Sequence, residues 1–178
     1  MATNRFDSLV SNTIFFETGG DKSGAYTDDP NDSGRATKWG ISQKAHPNTN
    51  IKTLTYKQAI AIYKAEYWIP IFDQVTDDRL LFKVFDMGVL MGISTATTLL
   101  QRALQKVGIT VNIDGDFGPL TLAAVEIAEV PALYEAYISL LNRRAYWITF
   151  TRPLKKMYLK GWLNRIIFNY KGAKVANI

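Results

Sequence analysis

Apolar positions recur at helical spacing along most of this chain. In residues 6–17, Phe6, Leu9, Val10 and Ile14 share one side with Phe15 at its edge, and the pair Gly19–Gly20 supplies a C-terminal stop. A glycine-, aspartate- and proline-rich loop follows through residue 36, and "ATKWGIS" then carries the β-branched, aromatic and turn residues of a hairpin arm. Downstream, helices dominate. "TYKQAIAIYKAEYW" starts at a Thr55 cap and is closed by Pro70, and "DDRLLFKVFDMGVLMG" is strongly apolar. "STATTLLQRALQKVG" places Ala96, Leu99, Leu100, Ala103, Leu104 and Val107 on one face before Gly108. A helix is expected from Pro119 to about Glu129, with proline tolerated at its first position because the N–H there has no intrahelical partner. Pro131 and Pro153 punctuate two long C-terminal helices, "ALYEAYISLLNRRAYWITF" and "LKKMYLKGWLNRIIFNYK". The fold class expected is mostly α with a small β-hairpin near the N-terminal loop.

Composition narrows the chemistry. At 178 residues one well-buried core is expected, and 47% hydrophobic with 21% charged residues is ordinary globular composition. Absent cysteines exclude a disulfide framework and a thiol nucleophile, and His46 as the single histidine makes a transition-metal site an unpromising reading, so neither metal nor cofactor is expected. No apolar run approaches about 18 residues, and the N-terminus shows neither an h-region nor a cleavage site, so synthesis in the cytoplasm without a signal peptide is expected. Charge is uneven. Residues 1–132 hold 12 Lys/Arg against 15 Asp/Glu, whereas residues 133–178 hold nine Lys/Arg against Glu135 alone. Such a tail is drawn to polyanions, whether nucleic acid, anionic lipid or a negatively charged envelope.

Candidate chemistry concentrates in "FFETGGDKSGAYTDDPNDSGRATKWGIS", residues 15–42. Glu17 ends an apolar helix, where the negative end of the macrodipole and the neighbouring Phe15 and Phe16 both disfavour an ionised carboxylate. A carboxylic acid kept protonated is what a general acid for a glycosidic oxygen requires. Asp28, Asp29 and Asp32 are available as the second carboxylate that such hydrolysis commonly uses, and Thr37 offers a hydroxyl. Gly19, Gly20, Gly24, Gly34 and Gly40 allow positive φ or close approach of backbone to a sugar. The same residues also suit a polar turn with aspartate caps and no chemistry.

The stretch "ETGG…DDPNDSGRATKWGIS" resembles the signature of glycoside hydrolase family 108, the lysozyme-like N-acetylmuramidases of phage endolysins and bacterial secretion activators. "FDMGVLMGISTATTLLQRAL", "DGDFGPLTLAAV" and "FTRPLKKMYLKGWLNRI" are similar to that family's later motifs, so the resemblance spans residues 5–168. It implies a single lysozyme-like domain over 1–178, with a catalytic portion at 1–90 and a helical portion at 91–178 resembling a peptidoglycan-binding region. It also implies Glu17 as general acid, with Asp32 and Thr37 holding the attacking water. Departures are Thr18 where the family usually has glycine, "DKSGAY" between the glycine pair and Tyr26, and Arg35 in place of a second glycine. The expected partner is the glycan strand of peptidoglycan, cleaved between N-acetylmuramic acid and N-acetylglucosamine by a monomer that reaches the periplasm through holin-type release.

Sugar clefts mix stacking rings with fixed polar groups, so Tyr26, Asp29, Trp39, Tyr67 and Trp68 are expected to line the substrate, with Tyr63 a further aromatic candidate. His46 is expected exposed in a polar turn, "NIDGDFGP" to be a turn with a helix cap rather than a calcium loop, and Glu66 and Asp86 to be surface residues or a core ion pair. The last helix alternates cationic and apolar residues. It is expected to pack through Trp162 and Ile166, leaving contact with an anionic outer membrane through residues 133–178 as a second possibility. Alternatives are a lytic transglycosylase on the same fold, a non-catalytic wall-binding or secretion-assisting protein, and, disfavoured, a nucleic-acid binder.

Overall fold

The computed structural model describes residues 5–21, 23–28, 35–168 and 170. Among them it is mostly α, as the apolar spacing predicts, and it divides into two compact units, Met1–Trp68 and Ile69–Ile178.

In the first unit, α1 (Arg5–Glu17) packs on α2 (Tyr56–Tyr67). Phe6, Leu9, Val10 and Ile14 form the buried stripe of α1, joined by Thr13 and Ser8. Between the helices lies a minimal antiparallel hairpin, β1 (Thr37–Lys38) with β2 (Ile41–Ser42), in which Thr37 pairs Ser42 and Lys38 pairs Ile41. A short 3₁₀ turn at Ile51–Thr53 leads to the α2 cap. There Thr55 and Gln58 satisfy each other's backbone N–H, the reciprocal capping box that fixes where this helix begins.

The second unit is built on α3 (Asp78–Met91), which Asp77 caps by accepting the Leu80 N–H at 2.7 Å. Every residue from Leu80 to Gly88 is buried, so this helix is covered on all sides. It packs on α4 (Ile93–Lys106), α4 on α6 (Val130–Thr151), and α6 on α7 (Leu159–Ile167), while α5 (Pro119–Glu126) joins α4. Two buried charges on α3 set where α7 lies. Asp86 accepts a two-pronged ion pair from Arg165, with Nε–Oδ2 and Nη2–Oδ1 both 2.9 Å, which makes Asp86 the core ion-pair residue that the sequence allows. Lys83 Nζ donates to the carbonyls of Arg165 at 2.8 Å and Phe168 at 2.9 Å, so a cation meets the negative end of α7.

Three expectations need correction. The segment expected as one helix from Leu154 is a 3₁₀ stretch, Pro153–Tyr158, followed by the short α7; Ile166 is buried, but Trp162 is half-buried and stacks on Tyr158. The helix expected to reach Glu129 stops at Glu126, because Glu129 caps α6 instead, its carboxylate accepting the Ala132 N–H at 3.2 Å. His46 is partly buried rather than exposed, with Nε2 lying 3.5 Å from the carboxylate of the exposed Glu66.

Burial pushes the Lys83 ammonium down to about 8, against its usual 10.5. Because the folded value lies below the unfolded one, the unfolded chain binds the extra proton between these values. The contribution of Lys83 to stability therefore rises with pH through that window. The stability gap between the parent and Lys83→Met should widen by roughly 2 kcal/mol from pH 7 to pH 10 in denaturant titrations. Parallel pH profiles would refute this.

Candidate active site

Glu17 is the last residue of α1, and the turn after it determines where its side chain starts. Gly20 N–H reaches back to the Phe15 carbonyl at 2.8 Å, and Gly19 N–H to that of Phe16 at 3.2 Å, with Gly19 left-handed at φ +63°. This doubly bonded glycine stop ends the helix at Glu17. Glu17 is half-buried, and Phe15 and Phe16 pack edge to face beside it, their centroids 5.8 Å apart.

The hairpin turn closes against this helix end. Trp39 and Gly40 both have positive φ, +54° and +76°, as a tight two-residue turn between right-twisted strands requires. A Cβ on Gly40 would stand 2.6 Å from Cβ of Glu17 and 2.5 Å from the Tyr63 hydroxyl, so only a bare backbone fits there. Tyr63 donates to the Trp39 carbonyl at 3.2 Å, which ties α2 to the same turn. Trp39 is held as well. Its indole covers Gly24, where an added Cβ would come within 2.2 Å of the ring, and meets Tyr56 edge to face at 5.0 Å. Trp39 Nε1 is buried with no hydrogen-bond partner among the described residues.

Other expected site residues scatter in role. Tyr67 is half-buried beside Tyr63, and its hydroxyl is pushed above its ordinary value by burial first and then by the Glu66 and Glu17 carboxylates, which places it in the electrostatic reach of Glu17. Thr37 opens β1, exchanges backbone bonds with Thr27 at 3.0 and 2.8 Å, and turns its hydroxyl onto the Arg35 carbonyl at 3.2 Å. Tyr26 is exposed and donates to Asp28 at 3.0 Å. Trp68 is buried and packs edge to face on Phe6 at 5.0 Å, a place in the core rather than on a sugar-facing surface. Asp29 and Asp32 lie outside the described residues, as does Gly34. The structure thus gathers Glu17, Trp39, Gly40, Tyr63 and Tyr67.

Asp21 is a residue that the sequence reading passed over. Its carboxylate accepts the N–H groups of Ser23 at 2.8 Å and Ala25 at 2.7 Å, and these bonds hold it below the usual carboxylate range. An aspartate two and four residues ahead of small residues in "GGDKSGAY" is the signal for such a turn. In the other unit, "NIDGDFGP" is a turn fastened by buried Gln101. The Gln101 amide donates to Asp114 Oδ1 at 2.7 Å and to Thr121 at 3.0 Å, while its oxygen accepts the Gly115 N–H at 2.9 Å. The expected helix cap is absent, since Gly118 precedes α5 without a side-chain bond.

Residues 18–92 match the family model Glycosyl hydrolase 108. The chain carries a glycosyl hydrolase 108 domain. Residues 95–167 match a second model, Predicted Peptidoglycan domain, so this glycoside hydrolase acts on peptidoglycan. The fold is shared with SagA of Brucella abortus, at 24% identity and a TM-score of 0.65 over 93% of this chain and 91% of that one. No curated protein matches the sequence.

Within the glycosyl hydrolase 108 domain, Gly40→Ala forces a methyl against Glu17 and Tyr63. Gly108→Ala, at φ +86° with open space around it, carries the backbone strain alone. Gly40→Ala should cost about 1–3 kcal/mol and lower wall-clearing activity, whereas Gly108→Ala loses stability with activity intact below its melting temperature. Equal specific activity of the two variants in a turbidity assay, each measured where it is folded, would contradict a dependence of activity on the packing at Glu17.

Proposed function

We propose that the protein is an N-acetylmuramidase in which Glu17 protonates the glycosidic oxygen between N-acetylmuramic acid and N-acetylglucosamine. As that bond breaks, positive charge develops at the anomeric carbon, and a water attacks there, losing its proton to a base. Asp32 and Thr37 hold that water in this reading, which rests for both on their positions in the family motif. The observation that carries the proposal is the fixing of the Glu17 side-chain root between a glycine-stopped helix and the backbone of Gly40, beside Tyr63. A group so anchored loses little freedom when it meets the substrate, the preorganisation that proton transfer needs. Mass spectrometry of digested sacculi tests it. Fragments should end in reducing muramic acid carrying one added water; anhydro ends would identify a transglycosylase, and no new ends a non-catalytic wall binder.

A second contact is favoured by the exposure of Phe150 at 85%, Leu154 at 90% and Met157 at 77%, interleaved with exposed Arg152, Lys155, Lys156 and Lys160. Large apolar side chains so open to water are costly to display unless something covers them. Their cationic neighbours suit an anionic lipid surface. The proposed outcome is cosedimentation with anionic but not zwitterionic vesicles, lost in Phe150→Ser/Leu154→Ser. Equal recovery with both vesicle types removes this contact.

A further inference from the structure

Between α4 and α6 lies a groove of about 410 Å³ whose polar lining is wholly cationic. Leu140, Arg143, Arg144 and Trp147 follow one another at the i, i+3, i+4, i+7 spacing that keeps them on one face of α6, and Leu99 and Arg102 face them from α4. Leu99 is buried and forms the floor, while Trp147 stands 59% exposed at the rim. Among the described residues, none of the three guanidinium groups meets a carboxylate or any hydrogen-bond acceptor, and Nε of Arg144 is buried without a partner. Three mutually repelling cations, one with a desolvated unpaired N–H, disfavour the folded chain by themselves. A bound anion offsets both penalties.

We propose that this groove binds carboxylates of the peptidoglycan stem peptides. A guanidinium presents a planar fork that a carboxylate fills with two parallel bonds, and a cluster of arginines rather than lysines matches that shape. In peptidoglycan the glycan is an uncharged chain of acetylated sugars, so the acidic groups are those of the stems. All six groove residues fall within residues 95–167, matched by the Predicted Peptidoglycan domain. The rim indole of Trp147 covers the apolar part of the stem next to the carboxylate. This inference rests on the reading of the protein as a peptidoglycan hydrolase, and it assigns to α4 and α6 the task of holding the wall while the first unit cuts.

The test is sedimentation of the full-length chain, on ice, with sacculi cleared of covalently attached phosphate polymers. Four ligands are compared: sacculi with intact stems, the same material with stem carboxylates amidated by carbodiimide and an amine, glycan freed of stems by an amidase with the lactyl carboxylates so exposed amidated in the same way, and sacculi from which the phosphate polymers were not removed. The parent should bind intact sacculi about tenfold more tightly than either altered ligand, the factor expected for loss of a charge-assisted contact. Arg102→Gln/Arg143→Gln, at two exposed positions, should lose that preference while keeping its melting temperature. On intact sacculi the same variant should show raised KM with kcat unchanged. Equal parent binding to intact and amidated sacculi overturns the proposal without any variant, and so does an equal loss by the variant on stem-free glycan. A loss confined to sacculi that still carry phosphate polymers assigns the groove to phosphate and overturns it too. Failure of the hydrolase reading itself looks different: no new reducing ends from any ligand, whatever the binding.

Discussion

The close approach of the Gly40 backbone to the root of Glu17 is the constraint from which the candidate site follows. A carboxylate on a helix terminus is ordinarily a mobile surface group. Here the glycine stop fixes the helix end, the hairpin turn seats bare backbone on the glutamate, and Tyr63 anchors that turn to α2 through the Trp39 carbonyl. Trp39 itself adopts a left-handed backbone that bulky residues rarely accept. Its strain is offset by an indole lodged between Gly24 and Tyr56. Local backbone irregularity, side-chain packing and the position of the acid are one device.

The second unit solves a different problem. A helix buried along its whole middle, Leu80 to Gly88, contains a lysine and an aspartate that burial would otherwise make very costly. Both are met by α7: Asp86 by the guanidinium fork of Arg165, Lys83 by the carbonyls at the helix end. Leaving one partner buried alone costs far more than the pair contributes. The short α7 is therefore fixed in place although the preceding 3₁₀ stretch contains no buried residue. The scaffold that results holds α4 and α6 side by side and so shapes the arginine-lined groove between them.

Much of this was legible in the sequence because it depends on spacing. The buried stripe of α1, the Thr55 cap, the apolar α3 and the stops at Gly19–Gly20 and Gly108 are all local patterns that tertiary packing reinforces. What was not legible depends on which neighbour a residue finds. The C-terminal basic segment has helical spacing, yet after Pro153 no residue up to Tyr158 is buried, and without a face to bury there is little to favour α over 3₁₀ turns. Glu129 looked like the end of one helix and proved to be the cap of the next. Aromatic identity could not separate Trp68, packed on Phe6, from Trp39, lodged at the hairpin turn. The hairpin was legible from Gly40, but a turn that puts tryptophan at its first left-handed position has only the glycine half of the Asn-Gly signal by which such turns are recognised.

The protein is a glycoside hydrolase, and the proposal is that its chemistry starts from one positioned carboxyl group, that of Glu17. Glu17→Gln removes the transferable proton while keeping nearly the same shape, so turbidity clearing of sacculi by this variant, alongside its melting temperature, tests the claim most directly. The account predicts clearing reduced by at least about a hundredfold, the scale of general acid catalysis, with the melting temperature unchanged. A variant that folds like the parent and clears the wall at the parental rate would contradict it.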